Sequence, residues 1–263
     1  MRVFLISWLI LMVASAHSQG IIDGFLDAPK SKALALSGSY ETADIYYLWN
    51  RNLEFGVTYF TASVYFKHQL NKRLSYAVNI PLVNGTPQDG TAFFKIGNHF
   101  NISKNIKLTG IAAIGGSHPL TDYNTQTSAA IGQQTRSVGF RTIAQITFKN
   151  SLFISGRYGY NLVAEPTPDN SVASIKLGFY KSKWYLDVWF DKIQANGGKD
   201  YLRIGENKAE SFRELGFNSA KIGGVIYHQT KEKLGLFLGG AQTISGKNAF
   251  KTWRISAGIV LKF

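Results

Sequence analysis

From Trp253 to Phe263 the sequence WRISAGIVLKF alternates without a break. Trp253, Ile255, Ala257, Ile259, Leu261 and Phe263 fall on one side, and Arg254, Ser256, Gly258, Val260 and Lys262 on the other. Side chains of a β-strand alternate between faces with period two, so this segment reads as a strand with one apolar and one mostly polar face. The same period recurs upstream near 33–40, 55–68, 74–82, 94–102, 106–114, 138–148, 152–162, 173–179, 184–191, 212–227 and 234–242. In the 212–227 segment Leu215 and Phe217 are out of step with Ala220, Ile222 and Ile226, which predicts a β-bulge near 218–220. Pro81 cannot donate to a ladder and is expected near its strand's end.

Two kinds of connection interleave. Short, mostly basic turns at 69–73, 103–105, 149–150, 181–183 and 228–233 alternate with longer segments at 41–54, 84–91, 116–135, 164–170 and 194–211, and a shorter one near 245–249. The aromatic 41–54 segment reads as an ordered loop whose Tyr46, Tyr47 and Trp49 suit a membrane interface. An even count of about twelve strands with this asymmetry predicts an all-β, transmembrane antiparallel β-barrel. Its short turns and both termini would be periplasmic and its longer loops extracellular. A soluble barrel also has period two, but its polar face meets water. Here that face is rich in Gly and Ser and poor in the mixed charges of a solvated surface.

The N-terminus supplies the compartment. Arg2 followed by the apolar run Val3–Val13 and then Ala14-Ser15-Ala16 reads as a signal peptide over 1–16, cleaved after Ala16. The run is too short to cross about 30 Å of hydrocarbon as a helix, and no other stretch reaches the roughly 18 apolar residues required. Residues 17–32 have no sustained period and form a periplasmic lead or a lumen plug. The barrel occupies 33–263, in the outer membrane of a Gram-negative cell envelope.

The last strand carries a further signal. An apolar face of Trp253, Ile255, Ile259 and Leu261 closed by a terminal Phe263 resembles the C-terminal assembly signal of outer-membrane barrels. That resemblance implies the barrel-assembly machinery as a partner during insertion, with outer-membrane lipid and lipopolysaccharide as the surroundings.

A net charge of +13 admits nucleic acid, lipid headgroups or anions as partners. The basic residues are scattered singly through strands and match no nucleic-acid motif, which excludes the first. If the apolar side faces lipid, the other side places Lys95, Lys107, Arg141, Arg157, Lys176, Asp187, Asp191, Lys221 and Arg254 on the lumen, so they are the pore-lining residues. A Lys or Arg facing lipid at mid-depth would cost about 2–4 kcal/mol. A basic passage attracts anions, whereas the same side chains paired across the lumen would seal it. Inward Phe153, Tyr185, Trp189 and Phe237 suit a solute with an apolar or ring-shaped part, or simply fill space.

The absence of Cys removes thiolate metal sites and Cys nucleophiles. His17, His68, His99, His118 and His228 fall in no Ser/His signature, and neither metal ligands nor a phosphate loop are evident. The chain reads as a non-enzyme without cofactor or metal.

The segment LALSGSYETADIYYLW (Leu34–Trp49), followed by GVTYFTASVYFKHQLNKRLSYAVNIPLV (Gly56–Val83), resembles the transporter barrels of the phenol meta-cleavage pathway, distant relatives of the long-chain fatty acid transporters. The resemblance rests on a Ser-x-x-x-Glu-like end to an early strand, a tight basic turn before Leu74, and the step Ile80-Pro81-Leu82. It implies passage of small hydrophobic or aromatic molecules. Together these features predict an outer-membrane channel or passive transporter for small anionic, amphipathic or aromatic solutes, gated by 194–211 or 17–32. The alternatives are a non-conducting structural or docking barrel and, less favoured, a lipid-modifying barrel enzyme.

Overall fold

The structure, a computed structural model, describes residues 23–48, 51–123, 133–200 and 208–263. The expected signal peptide and its cleavage point lie outside the described residues, as does Trp49. The chain forms β1 (Lys32–Leu48), β2 (Arg51–Gln69), β3 (Leu74–Val83), β4 (Thr86–Pro87), β5 (Asp89–Ser103), β6 (Ile106–Pro119), β7 (Ser137–Phe148), β8 (Leu152–Val163), β9 (Asp169–Lys181), β10 (Trp184–Asn196), β11 (Asn218–Lys231), β12 (Leu234–Lys247) and β13 (Ala249–Lys262). β4 is a two-residue fold-back on β3, so twelve strands make the wall. Along the wall each strand pairs antiparallel with its neighbours, and β1 with β13 completes a closed ring.

Burial shows which face points where. On β8, Phe153 and Ser155 are fully buried while Leu152, Ile154 and Tyr158 between and beyond them are exposed. Every one of the twelve wall strands exposes at least one large apolar side chain, from Leu36 on β1 through Phe140 on β7 to Ile259 on β13. Water-soluble monomers rarely expose apolar patches beyond a few hundred Å². An apolar belt running right round the ring is instead the surface of a barrel in hydrocarbon. The soluble alternative is thereby excluded. Trp253, Ile255, Ile259 and Phe263 all stand on the exposed face, with Leu261 half-buried beside them.

Pro81 sits where expected, past Asn79, the last residue of β3 paired with β5. Two expectations need correction. Residues 41–54 are not a loop: β1 runs to Leu48 and β2 starts at Arg51. At roughly 3.3 Å per residue these 17- and 19-residue strands far exceed the 9–11 residues of one membrane crossing. Register shifts between Ala43 and Ile45–Tyr46 break the alternation, which is why the segment reads as irregular. They also turn Tyr46 inward against Phe250, ring centroids 4.8 Å apart, rather than out to an interface.

The second correction concerns 212–217, which is not strand. Phe212–Glu214 is a 3-10 turn and β11 begins at Asn218. The register shift falls at Ala220/Lys221, at the end of the stretch expected to bulge. Leu215 and Phe217 are out of phase because they belong to a loop that folds back: Lys199 bridges Leu215, and Gly216 N–H donates to the Lys199 carbonyl at 2.9 Å. The chain leaves β10 through Gly197 and Gly198, both at positive φ, and a Cβ on Gly198 would stand 2.5 Å from the Gly216 nitrogen.

Ile175, at the centre of β9 and 52% exposed, tests the lipid face. Ile175→Arg should lower the unfolding free energy in lipid vesicles by about 2–4 kcal/mol, read by urea titration, while Ile175→Leu should leave it nearly unchanged.

Candidate functional site: the lumen and its N-terminal insert

The lumen is filled differently at its two ends. At the end of the short turns and the termini, the chain before β1 runs inside the wall. Asp23 lies between two inward-facing lysines, 3.1 Å from Lys67 Nζ and 2.9 Å from Lys95 Nζ, and Asp27 is 2.7 Å from Lys67 Nζ. Lys95 also donates to the Phe25 carbonyl at 2.6 Å. Both lysines are buried within the barrel, where an ammonium without a partner is costly.

Apolar contacts continue the insert. Phe25 meets Phe153 edge-on at 5.1 Å, with Tyr180 and Tyr185 at 5.7 and 6.2 Å. Leu26 packs on the buried group Phe93, Ile111, Ala113 and Ile143. Between Asp23 and Phe25 the backbone passes so close to Gln145 that a Cβ on Gly24 would stand 2.2 Å from Gln145 Oε1. Gln69, fully buried, accepts from the Asp27 N–H at 3.2 Å and donates to the Asn71 carbonyl at 2.7 Å, tying the insert to the β2–β3 turn.

Most sequence-predicted lumen charges occur in pairs. Lys176 bonds Asp187 at 2.6 Å, and Asp187 also accepts from the Tyr185 hydroxyl at 2.6 Å. Arg157 stands 3.9 Å from Asp191, and Lys221 stands 3.9 Å from Glu41. Arg254 forms a tight two-nitrogen contact with that same Glu41. Arg141 differs: its guanidinium donates to the Phe140 and Tyr160 carbonyls and to Asn161 Oδ1 at 2.6 Å, above the Phe93 ring. No carboxylate among the described residues lies within 4.0 Å of it. Lys107 is half-buried on the same face of β6 as Thr109, again with no such carboxylate. Lys262 is exposed at the end of β13, over the Tyr227 ring.

Three key residues escaped the sequence reading. Glu41 fell in the segment taken for a loop, Asp23 in the stretch without period, and Lys67 beside a basic turn. The signal for Glu41 is its parity with Ser37 and Ser39 on β1.

At the other end the lumen opens into a cavity of about 400 Å³. Its lining is dominated by uncharged hydroxyls and amides, among them Ser37, Ser39, Thr61, Ser63, Asn79 and Asn161, with Asp89 and Arg254 as its only charged members among the described residues. Loops close round its rim. The Tyr123 hydroxyl donates to Asp89 Oδ1 at 2.5 Å, and Phe217 reaches the cavity from the β10–β11 loop. In that loop Lys199 bonds Glu214 at 2.9 Å and holds its carboxyl below the ordinary range.

No family model matches the chain, the phenol-pathway type included, and no curated protein matches. Solved structures do. The COG4313 outer membrane channel from Pseudomonas putida F1 superposes with a TM-score of 0.73 at 13% identity, over 92% of this chain and 99% of that one. The NanC porin gives 0.56 at 8% identity over 88% and 100%, and the KdgM porin 0.53 at 4% over 87% and 99%. At such identities the likeness is one of architecture. The chain has the twelve-stranded fold of porin-like outer-membrane channels.

Proposed function

We propose that the protein is an outer-membrane channel for small polar solutes, entered from the loop side and held shut at the periplasmic end by residues 23–27. One observation carries this reading: a wall with an apolar outer belt encloses a cavity of about 400 Å³ lined mainly by hydroxyls and amides. A sealed structural barrel has no need of small polar side chains facing empty space. Twelve strands are intermediate between eight, whose interior side chains fill, and the sixteen or more that leave an aqueous channel. Whether the lumen is open then depends on what stands in it, and here that is the insert.

The expected anion preference takes a narrower form. Paired cations present little net charge to a passing ion. Arg141 and Lys107, with no carboxylate within 4.0 Å among the described residues, provide the positive bias. Neutralising a paired lysine such as Lys176 instead strands its acid.

In planar bilayers the intact protein should show low conductance, rising severalfold on deletion of residues 17–27 and, less completely, in Asp23→Asn. If neither variant conducts, or if liposomes carrying them exclude small polar solutes, the barrel is non-conducting and serves a structural or docking role. In the deleted form, Arg141→Gln should lower the anion-to-cation permeability ratio, measured by reversal potential in a salt gradient. Lys176→Gln should lower it further, because Asp187 then keeps its hydrogen bond from Tyr185 but has lost its cation. An unchanged ratio in both would contradict this account of selectivity.

A further inference from the structure

A second cavity, about 140 Å³, lies against the opposite arc of the wall, where β1 and β10 to β13 meet, and shares Arg254 with the larger one. Trp189 lines it. The indole is 4% exposed, and its Nε1–H has no hydrogen-bond partner among the described residues. The ring is fixed in place by close packing, since a Cβ on Gly223 would stand 2.4 Å from Trp189 Cζ2. A buried donor without an acceptor is costly, so its persistence beside a cavity points to an occupant that accepts.

The charges round this cavity are arranged unusually. Asp191 and Lys221 are direct cross-strand partners in the β10–β11 ladder, a position in which opposite charges ordinarily pair. They do not approach within 4.0 Å. Asp191 leans to Arg157 at 3.9 Å, Lys221 leans to Glu41 at 3.9 Å, and Asp191 Oδ1 accepts no hydrogen bond. Glu41 is already engaged by Arg254. A carboxylate and an ammonium thus stand apart on one cavity, each with a loose partner. A simple anion would meet Asp191 there, and a simple cation would meet Lys221. A molecule carrying both charges satisfies both. The volume is close to that of an engineered cavity of about 150 Å³ that takes benzene, and Ile193 and Ala241 provide an apolar side.

We propose that this cavity is a binding subsite for a small zwitterion of the α-amino-acid class, its ammonium on Asp191 and its carboxylate on Lys221 and the Trp189 N–H. The proposal rests on the channel reading and specifies the solute captured on the loop side of the lumen.

Calorimetry of the full chain in detergent, titrated with proline, acetate and methylammonium, tests it. Proline should bind one to one and at least tenfold tighter than either single-charge compound. Asp191→Asn and Lys221→Gln should each weaken proline at least tenfold, and Trp189→Phe about fivefold, in proteins whose folding is checked by heat-modifiable migration. Absence of proline binding, acetate or methylammonium binding as tight as proline, or proline affinity unchanged in all three variants would each overturn the subsite. Calorimetry needs no ion flow, so failure of binding in a conducting protein removes the subsite alone. Binding in a protein that never conducts removes the channel reading alone.

Discussion

Inside hydrocarbon a backbone N–H or C=O has no water to bond, and each one left unpaired costs several kcal/mol. That constraint dictates the rest of the structure. A sheet in the bilayer has to close, and it does so where β1 receives β13, Lys32 and Phe263 exchanging backbone hydrogen bonds at the seam. Pro81 is tolerated because it lies beyond the reach of β5. Once the ring is closed, period two leaves each side chain only two destinations, lipid or lumen. The apolar half of every strand takes the first.

The lumen then inherits the polar half, and with it a problem of charge. Buried ammonium and guanidinium groups need partners. The barrel provides some from its own wall, as with Asp187 for Lys176, and takes others from the chain before β1, as with Asp23 for Lys67 and Lys95. The charge pairing that stabilises the interior therefore also occupies its narrow end. Where the wall carries Ser, Thr and Asn instead, no partner is required and space remains. Open and filled regions of one lumen thus follow from which residue types face inward at each level.

Much of this was legible in the sequence because alternation is a local property. The apolar belt, the twelve strands, the short turns and the inward direction of Arg141, Arg157 and Lys176 all follow from counting by twos. Alternation fails where register shifts, so residues 41–54 read as loop and Glu41, the acid that gathers Arg254 and Lys221, was missed with them. That lumen charges pair was foreseeable, but which distant residues meet was not. Arg254 and Glu41 are 213 residues apart in the chain and meet only because the ring closes. Asp23 carried no periodic signal, since its position is set by the two lysines it lies between.

In the channel proposed above, polar residues such as Ser37 face a space reachable from outside the cell, while residues such as Ile175 face lipid. With no native Cys in the chain, single cysteines report this cleanly. Ser37→Cys in intact cells should react with a membrane-impermeant thiol reagent, whereas a fluorophore on Ile175→Cys should be quenched by brominated lipid and its thiol spared by that reagent. Labelling of Ile175→Cys with protection of Ser37→Cys would contradict the account.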